Sequence, residues 1–210
     1  MASADREFLL SGPRVGIRHV TCDDRAELSA LARESAELHR PWVPQRDMSR
    51  EAFSRYVARF DEPTHEGYMV CLRHDGSIVG GVNVNNIVRG SLQRGTLGYA
   101  AYAPTAGRGY MTEGLGLVIR YAFGELGLHR LEADIQPENT RSSKLVARLG
   151  FRLEGHSPAF QLIDGEWRDH DRWAITRQDR ERTDGRRADR RAGGRADVGQ
   201  GLSPRRLDAD

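Results

Sequence analysis

The run Pro104-Thr105-Ala106-Gly107-Arg108-Gly109-Tyr110-Met111-Thr112-Glu113 constrains the fold more than any other part of the chain. It follows a strand-like segment, Leu97 to Tyr102, and opens a segment from Gly109 to Leu126 whose apolar residues recur at helical spacing. Two glycines therefore stand where a strand hands over to a helix. At such a helix start the first backbone N–H groups have no intrahelical acceptor, and the macrodipole adds roughly half a positive charge. Without a Cβ, Gly107 and Gly109 let an anion such as a phosphate approach the backbone closely. The alternative is an ordinary turn ahead of a helix, so the neighbouring segments have to decide.

Those neighbours predict an α+β fold, a mixed and mainly antiparallel sheet with helices on both faces. Val15 to Val20 alternates as a first strand. Thr21 to Asp24 then offers capping residues to a helix with Leu28, Leu31, Ala32, Ser35 and Leu38 on one side. A second helix is expected from Ser49 to Phe60. Gly67 to Arg73 and Ile78 to Asn85 read as a hairpin closed at His74-Asp75-Gly76-Ser77, with Arg94 to Tyr102 as the next strand. The intervening Asn86-Ile87-Val88-Arg89-Gly90-Ser91 reads as a surface connection. After the long helix come a strand at Arg130 to Ile135, joined through a right-handed crossover, and a helix from Asn139 to Leu149. Strands at Phe151 to Glu154, Ala159 to Ile163 and Trp167 to Thr176 finish the sheet, the last two joined at Asp164-Gly165.

The chain divides into an N-terminal extension at 1–13, a domain at 14–178 and an Arg-rich tail at 179–210. From Arg177 onward there are ten Arg and seven Asp or Glu, no aromatic residue, and only Val198, Leu202 and Leu207 as large aliphatics. Too little apolar surface is available there to offset the entropy of ordering, so disorder is expected. The tail is either a solvated polyampholyte or a contact for RNA or ribosomes. The first 176 residues, with 22 basic against 23 acidic side chains, are near neutral, so the basic balance says little about the domain. Cys22 and Cys71 lack metal or redox spacing and fit a reducing compartment. No apolar run suggests a signal peptide or a membrane span, so the expected location is cytoplasmic. The seven His show no metal-ligand spacing, and no metal is expected.

Taken together, the glycine turn, Asn139-Thr140-Arg141-Ser142 and Leu149-Gly150-Phe151 resemble the GNAT superfamily of acetyl-CoA-dependent N-acetyltransferases. Asn86-Ile87-Val88-Arg89-Gly90-Ser91 and Asp164-Gly165-Glu166-Trp167-Arg168-Asp169-His170 are similar to segments of the ribosomal-protein alanine N-acetyltransferases of the Rim type. The resemblance implies that Gly107, Arg108, Gly109, Tyr110 and Met111 hold the pyrophosphate of acetyl-CoA. Tyr99, Ala100, Ala101 and Tyr102 would pair with the pantetheine arm like an added strand, and their N–H groups would face the oxyanion. It further implies that Asn139 contacts the arm and that Ser142 protonates the departing thiolate, although a Ser near a helix start also serves as a cap.

Two positions depart from the family's pattern. Pro104 stands where the glycine motif usually begins with Gln or Arg. Gln161 stands where some relatives carry a carboxylate base, and Gln cannot take a proton. Glu113 is the nearest carboxylate in sequence and a candidate proton relay, or simply an acid favoured by the helix dipole. Asp169 and His170 would alternate faces on a strand, which argues against a dyad. Absence of an obvious base favours an α-amine, whose reference pKa is about 7.7 to 8.0, over a lysine amine near 10.4. The expected reaction is direct attack of a protein N-terminal amine, such as that of a ribosomal protein, on acetyl-CoA in a ternary complex. A small amine, antibiotic or polyamine, and a non-catalytic acyl-CoA-binding ribosome-associated module are the other readings.

Overall fold

Alternation along the strands sorts the apolar residues onto two faces of one sheet. In the computed structural model, which describes residues 7–40, 42–44 and 47–182, strand β3 (Glu66–Leu72) shows this plainly. Its Tyr68 and Val70 join the larger core, while Met69 and Cys71 join a second core on the other face. All four are essentially inaccessible to solvent. The first core is roofed by α4 (Tyr110–Gly124) and α5 (Thr140–Leu149), the second by α1 (Arg25–Glu34) and α3 (Arg50–Ala58), with the short α2 (Ala36–His39) following α1.

The remaining strands are β1 (Leu10–Ser11), β2 (Val15–His19), β4 (Ile78–Val88), β5 (Arg94–Ala101), β6 (Arg130–Ile135), β7 (Arg152–Ile163) and β8 (Glu166–Thr176). They form one eight-stranded sheet in the order β1-β2-β3-β4-β5-β6-β8-β7. Every neighbouring pair is antiparallel except β5 and β6, which run parallel as the helical crossover through α4 requires. That parallel pairing spans only Arg94–Thr96 against Arg130–Glu132. Beyond it the two strands part.

Several elements differ from the sequence expectation. The first helix breaks at Ser35, whose wholly buried hydroxyl accepts from the Ala103 N–H at 2.9 Å. The expected surface connection at Asn86 is instead a bulged continuation of β4: Asn86 takes a positive φ of 50°, Ile87 is buried, and Arg89 donates to the Leu126 carbonyl beyond α4. The strands expected at Phe151 to Glu154 and Ala159 to Ile163 are one long β7, with a register shift between Ser157 and Gln161 and a positive φ at Ala159. Part of the expected N-terminal extension joins the sheet, since β1 pairs with β2 and the Phe8 ring covers Gly16. At the other end a helical turn at 177–182 continues past 178. Its Asp179 accepts from the Thr176 hydroxyl at 2.6 Å and pairs with Arg152. The rest of the tail, 183–210, lies outside the described residues. Among those described, no helix is long and apolar enough to cross a membrane.

Candidate active site

Where β5 and β6 part, one strand edge is left open. The Tyr102 N–H bonds the Val79 carbonyl on β4 at 3.1 Å, so by antiparallel alternation Ala100 and Gly98 also spend their backbone groups on β4. Tyr99 and Ala101 point theirs the other way, into the gap, whereas the Leu97 N–H still serves the pairing with β6. The Ala101 carbonyl is occupied by His39 of α2, whose Nε2 lies 2.8 Å away. The open edge thus has a closed end at α2.

The glycine turn stands above that end. Gly107 and Gly109 both take left-handed conformations, φ 79° and 80°, which the turn into α4 requires and a side chain would resist. Glu113 is the first residue of α4 whose N–H finds an acceptor in the helix register, the Gly109 carbonyl. The N–H groups of Tyr110, Met111 and Thr112 are the orphan donors of the helix start. Arg14 holds the turn from behind: its guanidinium donates to the carbonyls of Arg108 (3.1 Å) and Gly109 (3.4 Å) and stacks 4.9 Å over the Tyr110 ring.

Glu113 belongs to this clamp. Its carboxylate accepts from the N–H groups of Arg14 (2.8 Å) and Val15 (3.1 Å) and from Arg14 Nε (2.9 Å). Burial pushes its pKa up, but those hydrogen bonds outweigh it and hold the acid below its ordinary value. A carboxylate bound on both oxygens and kept ionised ties β2 to α4. It does not line the cleft, and the placement gives a proton relay no support.

The facing wall is α5. Asn139 caps it, the side-chain oxygen accepting from the Ser142 N–H at 3.1 Å. The cap is therefore Asn139 and not Ser142, whose hydroxyl is left to meet the Tyr99 phenol at 2.5 Å. Burial pushes Tyr99 up to about 12, the hydrogen bond with Ser142 working the other way. Arg141, Lys144 and Arg148 follow at spacings that place them on one face, and all three line the cleft. The cleft encloses about 590 Å³ between α2, β5, the glycine turn and α5.

The structure brings together Tyr99, Ala100, Ala101, Gly107, Gly109, Tyr110, Met111, Asn139 and Ser142 on that cleft. Met111 contributes backbone there, its side chain being buried against Gly80. Arg108 and Tyr102 are not among the lining residues. Tyr102 packs on the opposite core and has already spent its N–H on β4. Gln161 is exposed on β7, away from the cleft. Asp169 is exposed and accepts from the Ala159 N–H, whereas His170 is buried with Nδ1 on the Arg168 carbonyl, so the two do point apart. Sequence reasoning missed Arg14 and His39, which sit in segments without any motif. Among the described residues no group of three or more His, Cys, Asp or Glu is placed to hold a metal.

An open strand edge, orphan N–H groups at a helix start and a basic helix face suit a long ligand with an amide arm and phosphates. Comparison with known proteins agrees. Residues 14–152 match the acetyltransferase (GNAT) domain family. The chain is 36% identical over 177 residues to the [Ribosomal protein uS5]-alanine N-acetyltransferase of Escherichia coli, covering 81% of this chain and 91% of that one. It is 30% identical over 180 residues to a probable N-acetyltransferase, YjcK, of Bacillus subtilis, covering 82% and 99%. Among solved structures, Mycobacterium smegmatis RimJ in complex with CoA-disulfide superposes with a TM-score of 0.72 at 29% identity, over 78% of this chain and 82% of that one. This chain therefore belongs to the GNAT superfamily, among the Rim-type enzymes, and is an acetyl-CoA-dependent N-acetyltransferase.

Proposed function

We propose that the acceptor is the N-terminal α-amine of a polypeptide, a ribosomal protein being the first to test, and that it attacks acetyl-CoA directly in a ternary complex. One observation carries the reading: among the described residues no Asp or Glu lines the cleft. His39 is committed through Nε2 to the Ala101 carbonyl. An amine entering such a site must already be neutral. An α-amine with a reference pKa of about 7.7 to 8.0 supplies a useful neutral fraction near pH 7, whereas a lysine amine near 10.4 supplies roughly one part in 2,500. The E. coli relative's name, a ribosomal-protein alanine acetyltransferase, supports the same acceptor class.

In this reading the orphan N–H groups of Tyr110, Met111 and Thr112 receive the pyrophosphate, and Arg141, Lys144 and Arg148 add charge along the phosphate path. Tyr99 and Ala101 offer their edge to the pantetheine arm. The amine adds to the thioester carbonyl, a C–N bond forms, and the oxyanion is met by N–H groups of that edge. As the C–S bond breaks, Ser142 donates its hydroxyl hydrogen bond to the departing thiolate, and the ammonium proton leaves to water.

The test is intact-mass analysis of ribosomal proteins incubated with enzyme and acetyl-CoA, followed by sequencing of the product's first residues. Added acetyl mass on an N-terminal residue is expected. Turnover confined to small amines, or coenzyme A binding without thiol release in the presence of any amine, refutes the proposal.

A further inference from the structure

The face of the sheet opposite α4 carries a second set of polar groups beside the open edge. Val82 and Val84 of β4 point into the α4 core, so Asn83 and Asn85 point toward α3. There the Tyr56 hydroxyl donates to Asn83 Oδ1 at 3.0 Å and the Arg59 guanidinium donates to Asn85 Oδ1 at 2.6 Å. Each carboxamide has its oxygen engaged and its NH₂ turned away, and no described residue accepts from either NH₂. Gly98, opposite Asn83 on β5, keeps the ground beside them flat. A Cβ there would stand 3.3 Å from Asn85 Nδ2. Gly98 also directly precedes Tyr99, whose backbone groups face the gap.

The same face offers no welcome to a polycation. Of the β6 carboxylates that point this way, Glu132 is held by Arg94 (2.5 Å) and Arg130 (2.8 Å), and Asp134 by Arg172 (2.6 Å). What is presented is a pair of N–H donors two residues apart on one strand, about 6.8 Å at the ~3.4 Å rise of an antiparallel strand. Alternate carbonyls of an extended peptide repeat at that same distance.

We infer that Asn83 and Asn85 form the acceptor subsite, their Nδ2 groups donating to main-chain carbonyls of the first residues of a polypeptide, so that its terminal amine crosses Gly98 to the thioester. The inference rests on the proposed α-amine acceptor and names how it is recognised. Because the contacts are to main chain, the subsite selects an extended terminus and reads little of its side chains.

Asn83→Asp and Asn85→Asp test this well. Each retains the acceptor for Tyr56 or Arg59 and exchanges the NH₂ donor for a second acceptor. With a hexapeptide beginning in alanine, each variant is expected to raise the acceptor KM roughly tenfold or more, the loss of one hydrogen bond made worse by carbonyl repulsion. The KM for acetyl-CoA and the melting temperature should stay put, and any turnover of spermidine should not fall. Unchanged peptide KM in both variants overturns the assignment, as does an equal rise in the KM for acetyl-CoA. A wild-type enzyme that acetylates no peptide sinks the α-amine reading itself.

Discussion

In the proposed mechanism, the contact between Tyr99 and Ser142 decides how the thiolate is released. Their oxygens are 2.5 Å apart, so one hydroxyl donates to the other. Ser142 can aim its single proton at sulfur only when Tyr99 donates to Ser142 Oγ. Tyr99 is not itself the acid, because a phenol at about 12 would surrender its proton to a thiolate of reference pKa about 8.5 at a cost of roughly 5 kcal/mol. Its role is to position. Tyr99→Phe removes one neutral hydrogen bond, about 0.5 to 1.5 kcal/mol, which corresponds to a kcat lower by about 2- to 13-fold. Ser142→Ala removes a bond to developing charge, about 1.5 to 3 kcal/mol, or roughly 13- to 160-fold. Without the serine the phenol has nothing to aim, so the double variant should match Ser142→Ala within about twofold. Thiol release at saturating acetyl-CoA and acceptor measures all three. If the two losses multiply, or if Tyr99→Phe raises the KM for acetyl-CoA and spares kcat, the positioning argument is wrong. A normal kcat in Ser142→Ala removes the serine from the chemistry altogether.

Three other outcomes are expected. Gly107→Glu places a carboxylate where phosphate is proposed to bind and should raise the KM for acetyl-CoA at least tenfold. Gly107→Asn, which tolerates the left-handed backbone, should raise it far less, and equal effects would point to strain instead of charge. Glu113→Gln should lower the melting temperature while kcat changes less than about threefold. Because the folded pKa of Glu113 is depressed, its contribution is full above the unfolded value and lost as pH falls through the folded one. The variant's deficit should therefore shrink in acid, as melting curves between pH 3 and 7, roughly the carboxylate range, would show. Finally, kcat/KM for a peptide acceptor should climb about tenfold per pH unit and level off near its own amine pKa of about 8, and an additional enzyme group titrating near 6 or 7 would reveal a base.

Local pattern made most of the framework readable. Alternation placed β2 and β3, the stripe from Met111 to Phe123 placed α4, and Gly150 marked the end of α5 in the left-handed conformation expected of such a cap. The glycine turn was visible because its glycines do what only glycine does cheaply. Where ordinary residues take up positive φ, as Asn86 and Ala159 do, the bulges they make are silent in sequence, so β4 looked too short and β7 looked like two strands. β7 is also exposed along nearly all its length, which erases the alternation that would have shown its continuity. Partnerships were harder still. Glu113 is 99 residues from Arg14 and Tyr99 is 43 from Ser142, distances over which only strand register and helix placement choose who meets whom. The carboxylate beside the turn could therefore be read as a proton relay or as a helix-dipole acid, whereas its contacts tie β2 to α4.

The parting of β5 and β6 has a consequence for the lifetime of the protein. A sheet that stops pairing in its middle leaves backbone donors and acceptors exposed, and unpaired strand edges invite other chains to join them. In the proposed binding mode, acetyl-CoA lying along that edge stands in for the missing strand. Occupancy at a hundredfold excess over Kd adds about 2.7 kcal/mol to the folded state, a large share of the ~5 to 15 kcal/mol that holds a typical domain together. On that binding mode, the enzyme deprived of its acetyl donor is less durable as well as idle.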